Sequence, residues 1–143
     1  MNPLMKVSGI ALLMVLASAC ATGMKYAEVA SSIKPPRAEM GRIYLFRTSP
    51  LGAAVKPKIF LDDKVIGKAV AKGFFYVDVL PGTHQLRTTT EVKRTLSMTL
   101  QAGEVRYVRL KVAVGFFVGH VAPELVDNAV GEREITKCRY TGK

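Results

Sequence analysis

The sequence predicts a mainly β protein: a small antiparallel β-sandwich with a short C-terminal helix. Three observations carry that expectation. Strand-like runs recur at roughly eight-to-twelve-residue spacing, with Pro and Gly between them. Two of the runs, Arg94 to Gln101 and Val105 to Val114, alternate apolar and polar side chains as half-buried antiparallel strands do. The stretch Phe74 to Leu86 reads as strand, tight turn, strand. In it Phe75, Val77 and Val79 share one face of an extended chain. Pro81 presets φ at the first corner of the turn, and Gly82 supplies the positive φ of the second.

The chain begins with a short segment carrying Lys6, continues with an apolar run from Val7 to Leu16 interrupted by Ser8 and Gly9, and reaches Ala17-Ser18-Ala19-Cys20. This is the layout of a secretory leader, and the apolar run is too short to span a bilayer, which takes ~20 residues. The small residues ending on cysteine resemble the bacterial lipobox, with Ala17 where Leu is usual. The resemblance implies cleavage between Ala19 and Cys20, a diacylglycerol on the Cys20 sulfur and an acyl chain on its amine. Residues 1–19 are then the signal peptide. Several acyl chains on one residue hold a protein stably on a membrane. The residue after the cysteine is Ala21 rather than Asp, which by the same resemblance implies an outer-membrane lipoprotein facing the periplasm in a Gram-negative cell, and otherwise a cell-membrane lipoprotein.

Residues 20–40 contain Ser31-Ser32 and Pro35-Pro36 with little apolar periodicity, and read as a linker stiffened by its prolines. The domain then occupies residues 41–143. Gly41 to Arg47 is apolar on both faces, as a central strand is. Pro57 to Lys68 reads as a hairpin tipped by Asp62 and Asp63, a pair whose own backbone hydrogen bonding suits a turn. As a cation site the pair lacks a third ligand. Leu96, Met98 and Leu100 face one way, Thr95, Ser97 and Thr99 the other. In the next strand Val108, Leu110 and Val112 point inward, with Tyr107, Arg109 and Lys111 outward. Gly115-Phe116-Phe117-Val118-Gly119 is either a turn capping the sandwich or an exposed apolar patch. Glu124 to Tyr140 is the one helical stretch, capped by Asp127 or Asn128, with Val130, Ile135 and Cys138 as its apolar stripe.

Composition narrows the chemistry. The chain has 143 residues, enough for one domain, with 21 Lys+Arg against 11 Asp+Glu and a formal charge of +10. Its 2 cysteines are Cys20 and Cys138; with the first lipidated, no disulfide framework exists and the core must supply the stability. Cys138 then reads as buried and inert, its alternative being a cross-link to another chain in an oxidising periplasm. Ser31, Ser32, Ser49 and Ser97 lie in no Gly-x-Ser-x-Gly motif, and with 2 histidines the chain offers no recognisable nucleophilic triad, zinc set, phosphate loop or dinucleotide fingerprint. His84, after the Pro-Gly turn, reads as a strand-edge hydrogen-bonding residue, and His120 as a structural one. No cofactor is expected beyond the covalent lipid. The basic excess gathers as Arg87, Lys93, Arg94, Arg106, Arg109 and Lys111 on what read as three neighbouring strands. That set is either a solvated face or a patch for anionic lipid, glycan or acidic protein; export argues against nucleic acid.

Taken in order, Gly-Arg-Ile-Tyr-Leu-Phe-Arg from Gly41, Ile-Phe-Leu-Asp-Asp-Lys-Val-Ile-Gly from Ile59, Phe-Phe-Tyr-Val-Asp-Val-Leu-Pro-Gly-Thr-His from Phe74 and the Gly103 turn before Val105-Arg106-Tyr107-Val108 resemble the bacterial lipoprotein family known as domain of unknown function 2846 (DUF2846). They resemble PEGA-type surface modules more loosely. The resemblance runs from Gly41 to about Ile135. It implies a transthyretin-like or immunoglobulin-like sandwich and transfers no catalytic residue. The function expected is a membrane-anchored envelope lipoprotein that binds or assembles without catalysis. Its rivals are an enzyme acting on peptidoglycan or glycan, with Asp78, Glu91 and Glu104 as the spare carboxylates, and a carbohydrate-binding module using Tyr44, Tyr76 and Tyr107 as an aromatic platform.

Overall fold

The computed structural model describes residues 19–89, 95–113 and 120–142. Lys93, Arg94, Glu91 and the Phe116-Phe117 segment lie outside the described residues. Within them the chain forms a short helix α1 (Tyr26–Val29), nine strands, β1 (Gly41–Arg47), β2 (Lys58–Leu61), β3 (Lys64–Lys68), β4 (Gly73–Val79), β5 (Gly82–Thr88), β6 (Thr95–Leu100), β7 (Val105–Ala113), β8 (His120–Val126) and β9 (Arg139–Tyr140), and a helix α2 (Asn128–Ile135) between the last two. The strands make two sheets, β8-β7-β1-β4-β9 and β3-β2-β5-β6. The protein is the mainly β sandwich that the alternation predicts, with one short helix near the C-terminus.

β1 is buried along its whole length because both its faces are covered. Ile43 and Leu45 enter the core between the sheets with Ile59, Phe75, Leu86 and Val108. Tyr44 and Phe46 point the other way, into a second cluster with Val29, Phe74, Tyr107, Ile135 and Cys138. α1 and α2 supply the cover for that outer face. The molecule therefore has three layers: helices, five strands, four strands.

Several expectations hold in detail. Asp62 and Asp63, at φ 49° and 67°, turn the β2–β3 hairpin as a primed turn requires. Met98 and Leu100 are buried, as are Val108 and Leu110. Gly82 sits at φ 136°, where a side chain would be strained.

Others are corrected. Phe74 to Leu86 is not a hairpin: β4 pairs with β1 and β9, whereas β5 pairs with β2 and β6, so Leu80-Pro81 carries the chain from one sheet to the other. The sheets are not purely antiparallel, since β1 runs parallel to β7 and β4 parallel to β9. Tyr107 does not face solvent; it is 6% exposed beneath α2. The helix spans eight residues rather than Glu124 to Tyr140. Its expected first turn is the end of β8, and its expected last turn becomes β9. Pro123 is tolerated in β8 because β8 is an edge strand. Asp127 occupies the N-cap position, as expected, but makes no side-chain capping bond.

Residues 20–33 are not a free tether. Cys20 forms a parallel bridge with Ala71, and the Ala21 amide donates to the Ala71 carbonyl at 2.8 Å. Lys25 bridges Arg139, the Tyr140 amide donates to the Met24 carbonyl at 2.8 Å, and Tyr26 packs edge-on against Phe74 at 5.4 Å. A Cβ on Gly23 would lie 1.9 Å from the Tyr140 carbonyl oxygen, so only glycine lets the two backbones approach this closely. Backbone pairing and small residues do this docking, and neither has a hydrophobic period to read.

Candidate functional site

Two features stand out: the surroundings of Cys20, and a groove along the side of the sandwich.

Cys20 is half-buried, while Ala21, one residue on, is already 9% exposed and inside the fold. Arg47, at the end of β1, is the hub beneath it. The residue is 1% exposed, and its guanidinium donates from Nη1 to the carbonyls of Val55 (2.9 Å) and Ala69 (2.7 Å), and from Nη2 to those of Leu51 (2.7 Å) and Gly52 (3.1 Å). Burial lowers its pKa from the usual guanidinium value. The Cys138 thiol lies against the Arg47 carbonyl at 3.7 Å, is 1% exposed, and is pushed up to about 11 by burial. It is buried, as the sequence suggests, and burial of this kind disfavours the reactive thiolate.

The groove has a volume of about 760 Å³, within the range of ligand sites. Val65 to Lys68 of β3 form one wall. Phe75, Tyr76 and Val77 of β4, with Tyr140 to Gly142, form the other. It exists because two sheet edges face each other there. β3 ends the four-stranded sheet, and the two-residue β9 covers β4 only at Gly73 and Phe74. Beyond Phe74 the outer edge of β4 has no strand beside it among the described residues. The lining is aliphatic and aromatic, with Lys68 at its rim and no carboxylate. Nothing in the sequence marks this site, because its walls come from segments far apart in the chain.

The sequence-derived site residues fare unevenly. The four described members of the basic set do not share a sheet. Arg87 is on β5 of the four-stranded sheet, whereas Arg106, Arg109 and Lys111 are on β7 of the other. Arg87 lies over the Phe60 ring at 3.9 Å. Arg109 is held by Glu124 (3.0 Å) and Glu134 (2.8 Å); burial would lower its pKa, but these carboxylates outweigh that and raise it. Arg106 pairs with Glu104 at 2.7 Å.

Tyr76, Tyr44 and Tyr107 do line up on one face, in register across β4, β1 and β7. Tyr44 and Tyr107 stack at 5.1 Å, but they are 8% and 6% exposed, so they are core rather than a sugar platform. Arg42 lies over the Tyr76 ring at 4.1 Å and forms a bidentate pair with Asp78 at 2.6 and 2.9 Å. Asp78 and Glu104 are thus both committed to arginines, and neither reaches the groove.

His84 donates from Nδ1 to Asp62 at 2.6 Å and from Nε2 to the Leu80 carbonyl at 2.7 Å. Both partners are acceptors, so the imidazole satisfies both only when doubly protonated. Burial would lower its pKa, but the hydrogen bonds to Asp62 and Leu80 prevail and raise it. Asp62 is held below the usual carboxylate value by the Gln85 amide and then by His84. A raised histidine stabilises the fold below its ordinary value of 6.5 and loses this as pH rises through its folded value. A depressed aspartate stabilises above 3.8 and loses this as pH falls through its own. The pair therefore helps most between those two ordinary values. We expect His84→Gln to cost about 0.5 kcal/mol at pH 5.5 and less at pH 9, measured by urea unfolding, the small size reflecting the exposure of Asp62. An equal cost at both pH values would contradict the assignment.

Among known proteins, a family model described as "Protein of unknown function (DUF2846)" matches residues 37–121. The chain is also similar to a Haemophilus influenzae protein named "Uncharacterized protein", 31% identical over 134 residues, covering 90% of this chain and 78% of the relative.

Proposed function

From its membership of the DUF2846 family the chain inherits no described activity, and we propose from its own residues that it is a membrane-anchored envelope lipoprotein whose sandwich is a non-catalytic binding module. The observation that carries the reading is the position of Cys20. The lipobox-like Ala17-Ser18-Ala19 precedes it, and the fold begins immediately after it at Ala21. Cleavage before Cys20 would leave the described sandwich intact and place the acyl chains at its surface. Ala21 in place of Asp after the cysteine supports an outer-membrane lipoprotein facing the periplasm in a Gram-negative cell, and a cell-membrane lipoprotein otherwise.

The groove between β3, β4 and the C-terminal residues is the binding site in this reading. Its free strand edges suit an extended chain adding main-chain hydrogen bonds, and its Val, Ile, Phe and Tyr walls suit alternate apolar side chains. A glycan-hydrolysing role would need two carboxylates converging in the cleft, and the groove lining contains none.

Cys20→Ser should move the protein from the membrane to the soluble fraction of fractionated cells while its circular dichroism spectrum is unchanged. A Cys20→Ser protein that remains with the membranes would refute the anchor.

A further inference from the structure

We infer that the end of the sandwich around Cys20 lies flat on the bilayer, so that an anionic phospholipid surface is bound by the domain itself as well as by the acyl chains. The inference rests on the lipid anchor proposed above and adds an orientation to it.

The geometry starts at Arg47. Its four carbonyl partners come from the segments 48–57 and 69–72, the Cys138 thiol rests on its backbone, and the Arg139 amide donates to the Lys72 carbonyl at 2.8 Å. Cys20 pairs with Ala71. The segments 20–25, 48–57, 69–72 and 136–138 therefore form one end of the sandwich, with Cys20 among them. A cysteine docked in this way cannot hold the domain away from the membrane, as an extended linker would.

The chemistry of that end is uneven in two ways. First, the charges of these four segments have one sign: they contain Lys25, Lys56, Lys72 and Lys137, and no Asp or Glu. Carboxylates stand at the opposite end, where Asp62 and Asp63 turn β2 into β3, Asp78 closes β4, Glu104 precedes β7 and Asp127 follows β8, the first four of them in ion pairs with His84, Arg87, Arg42 and Arg106. Second, Met24 (56% exposed), Leu51 (53%) and Val55 (40%) project apolar side chains from this same end. Apolar side chains on segments that carry lysines, beside an acylated residue, fit the interface of an anionic bilayer: the apolar groups enter the headgroup boundary and the ammonium groups meet the phosphates. With the Asp62-Asp63 turn directed away, the domain has one favoured orientation on the membrane.

The test uses the full lipidated chain carrying Leu51→Cys or, separately, Asp63→Cys, each labelled with a maleimide fluorophore. Cys138 is buried and is not labelled. The proteins are reconstituted into phosphatidylethanolamine–phosphatidylglycerol vesicles containing a nitroxide-headgroup lipid, and flotation confirms attachment. The expected result is severalfold stronger quenching at position 51 than at position 63. That difference should shrink when Lys56, Lys72 and Lys137 are changed together to Glu. Ala54→Cys, in the same exposed loop, reports the same surface if Leu51→Cys misfolds. Equal quenching at the two positions in protein that floats overturns the orientation and leaves the anchor standing. A difference unmoved by the lysine changes overturns the role given to charge. Protein that does not float removes the anchor, and the inference with it.

Discussion

Replacing Arg47 by methionine is expected to lower stability by about 3–5 kcal/mol, one of the largest losses available to a single substitution in this chain. Methionine fills similar space and removes the cost of burying a charge. What it cannot do is satisfy the carbonyls of Leu51, Gly52, Val55 and Ala69, which converge on the guanidinium. No single side-chain change replaces those backbone acceptors, so the usual gain from exchanging a buried charged pair for apolar residues is not available here. Part of the loss is recovered as the loop opens and water reaches Leu51 and Gly52, which keeps the figure below the sum of four orphaned groups. The same opening should make the segment 48–57 the first site of limited proteolysis. Urea unfolding followed by circular dichroism measures the first effect. A loss under about 1 kcal/mol would mean that the carbonyls do not depend on Arg47.

Gly131→Ala is expected to destabilise the protein by about 2 kcal/mol, against the direction that helix propensity alone gives. In an exposed helix the change gains up to about 1 kcal/mol. Here a Cβ would lie 2.2 Å from the Tyr107 Cγ and 2.3 Å from its Cβ. Tyr107 cannot step aside, because it is 6% exposed and stacked on Tyr44 at 5.1 Å, and Tyr44 packs in turn against Tyr76 at 5.6 Å. Either α2 lifts off the sheet or the tyrosine row shifts, and overpacking of this kind costs about 1–3 kcal/mol. Thermal unfolding reads the sign directly: a raised melting temperature would contradict the packing of α2 on Tyr107.

What could be read from the sequence, and what could not, follows from which interactions have a period. β6 and β7 were legible because each buries a face that repeats every second residue, β1 because it is apolar on both faces, and the β2–β3 hairpin because Asp62-Asp63 mark its turn. The crossing at Leu80-Pro81 was not, because a strand, a Pro-Gly corner and a second strand look the same whether the strands pair or part. β8 was obscured by Pro123 and by the polar Asp127-Asn128 that follows it, which together resemble a helix start. β9 has two residues and no pattern at all. The register that aligns Tyr76, Tyr44 and Tyr107 is set by strand pairing, and the burial of Tyr44 and Tyr107 comes from the cover of α1 and α2, so neither was legible in the sequence.

The candidate sites divide in the same way. Cys20 is visible because the residues before it form a local motif. Its docking at Ala71 is invisible because backbone hydrogen bonds carry it. The groove depends on where β9 stops along β4, a tertiary fact with no local signature. Arg87 is separated from Arg106, Arg109 and Lys111 because membership of a strand does not say which sheet the strand joins.

Intact-mass and tandem mass spectrometry of the mature amino terminus tests the central claim most directly. The account predicts that the first residue is Cys20, carrying a diacylglycerol on sulfur and an acyl chain on its amine. A mature chain with an unmodified Cys20 thiol, or one still bearing residues 1–19, would contradict it.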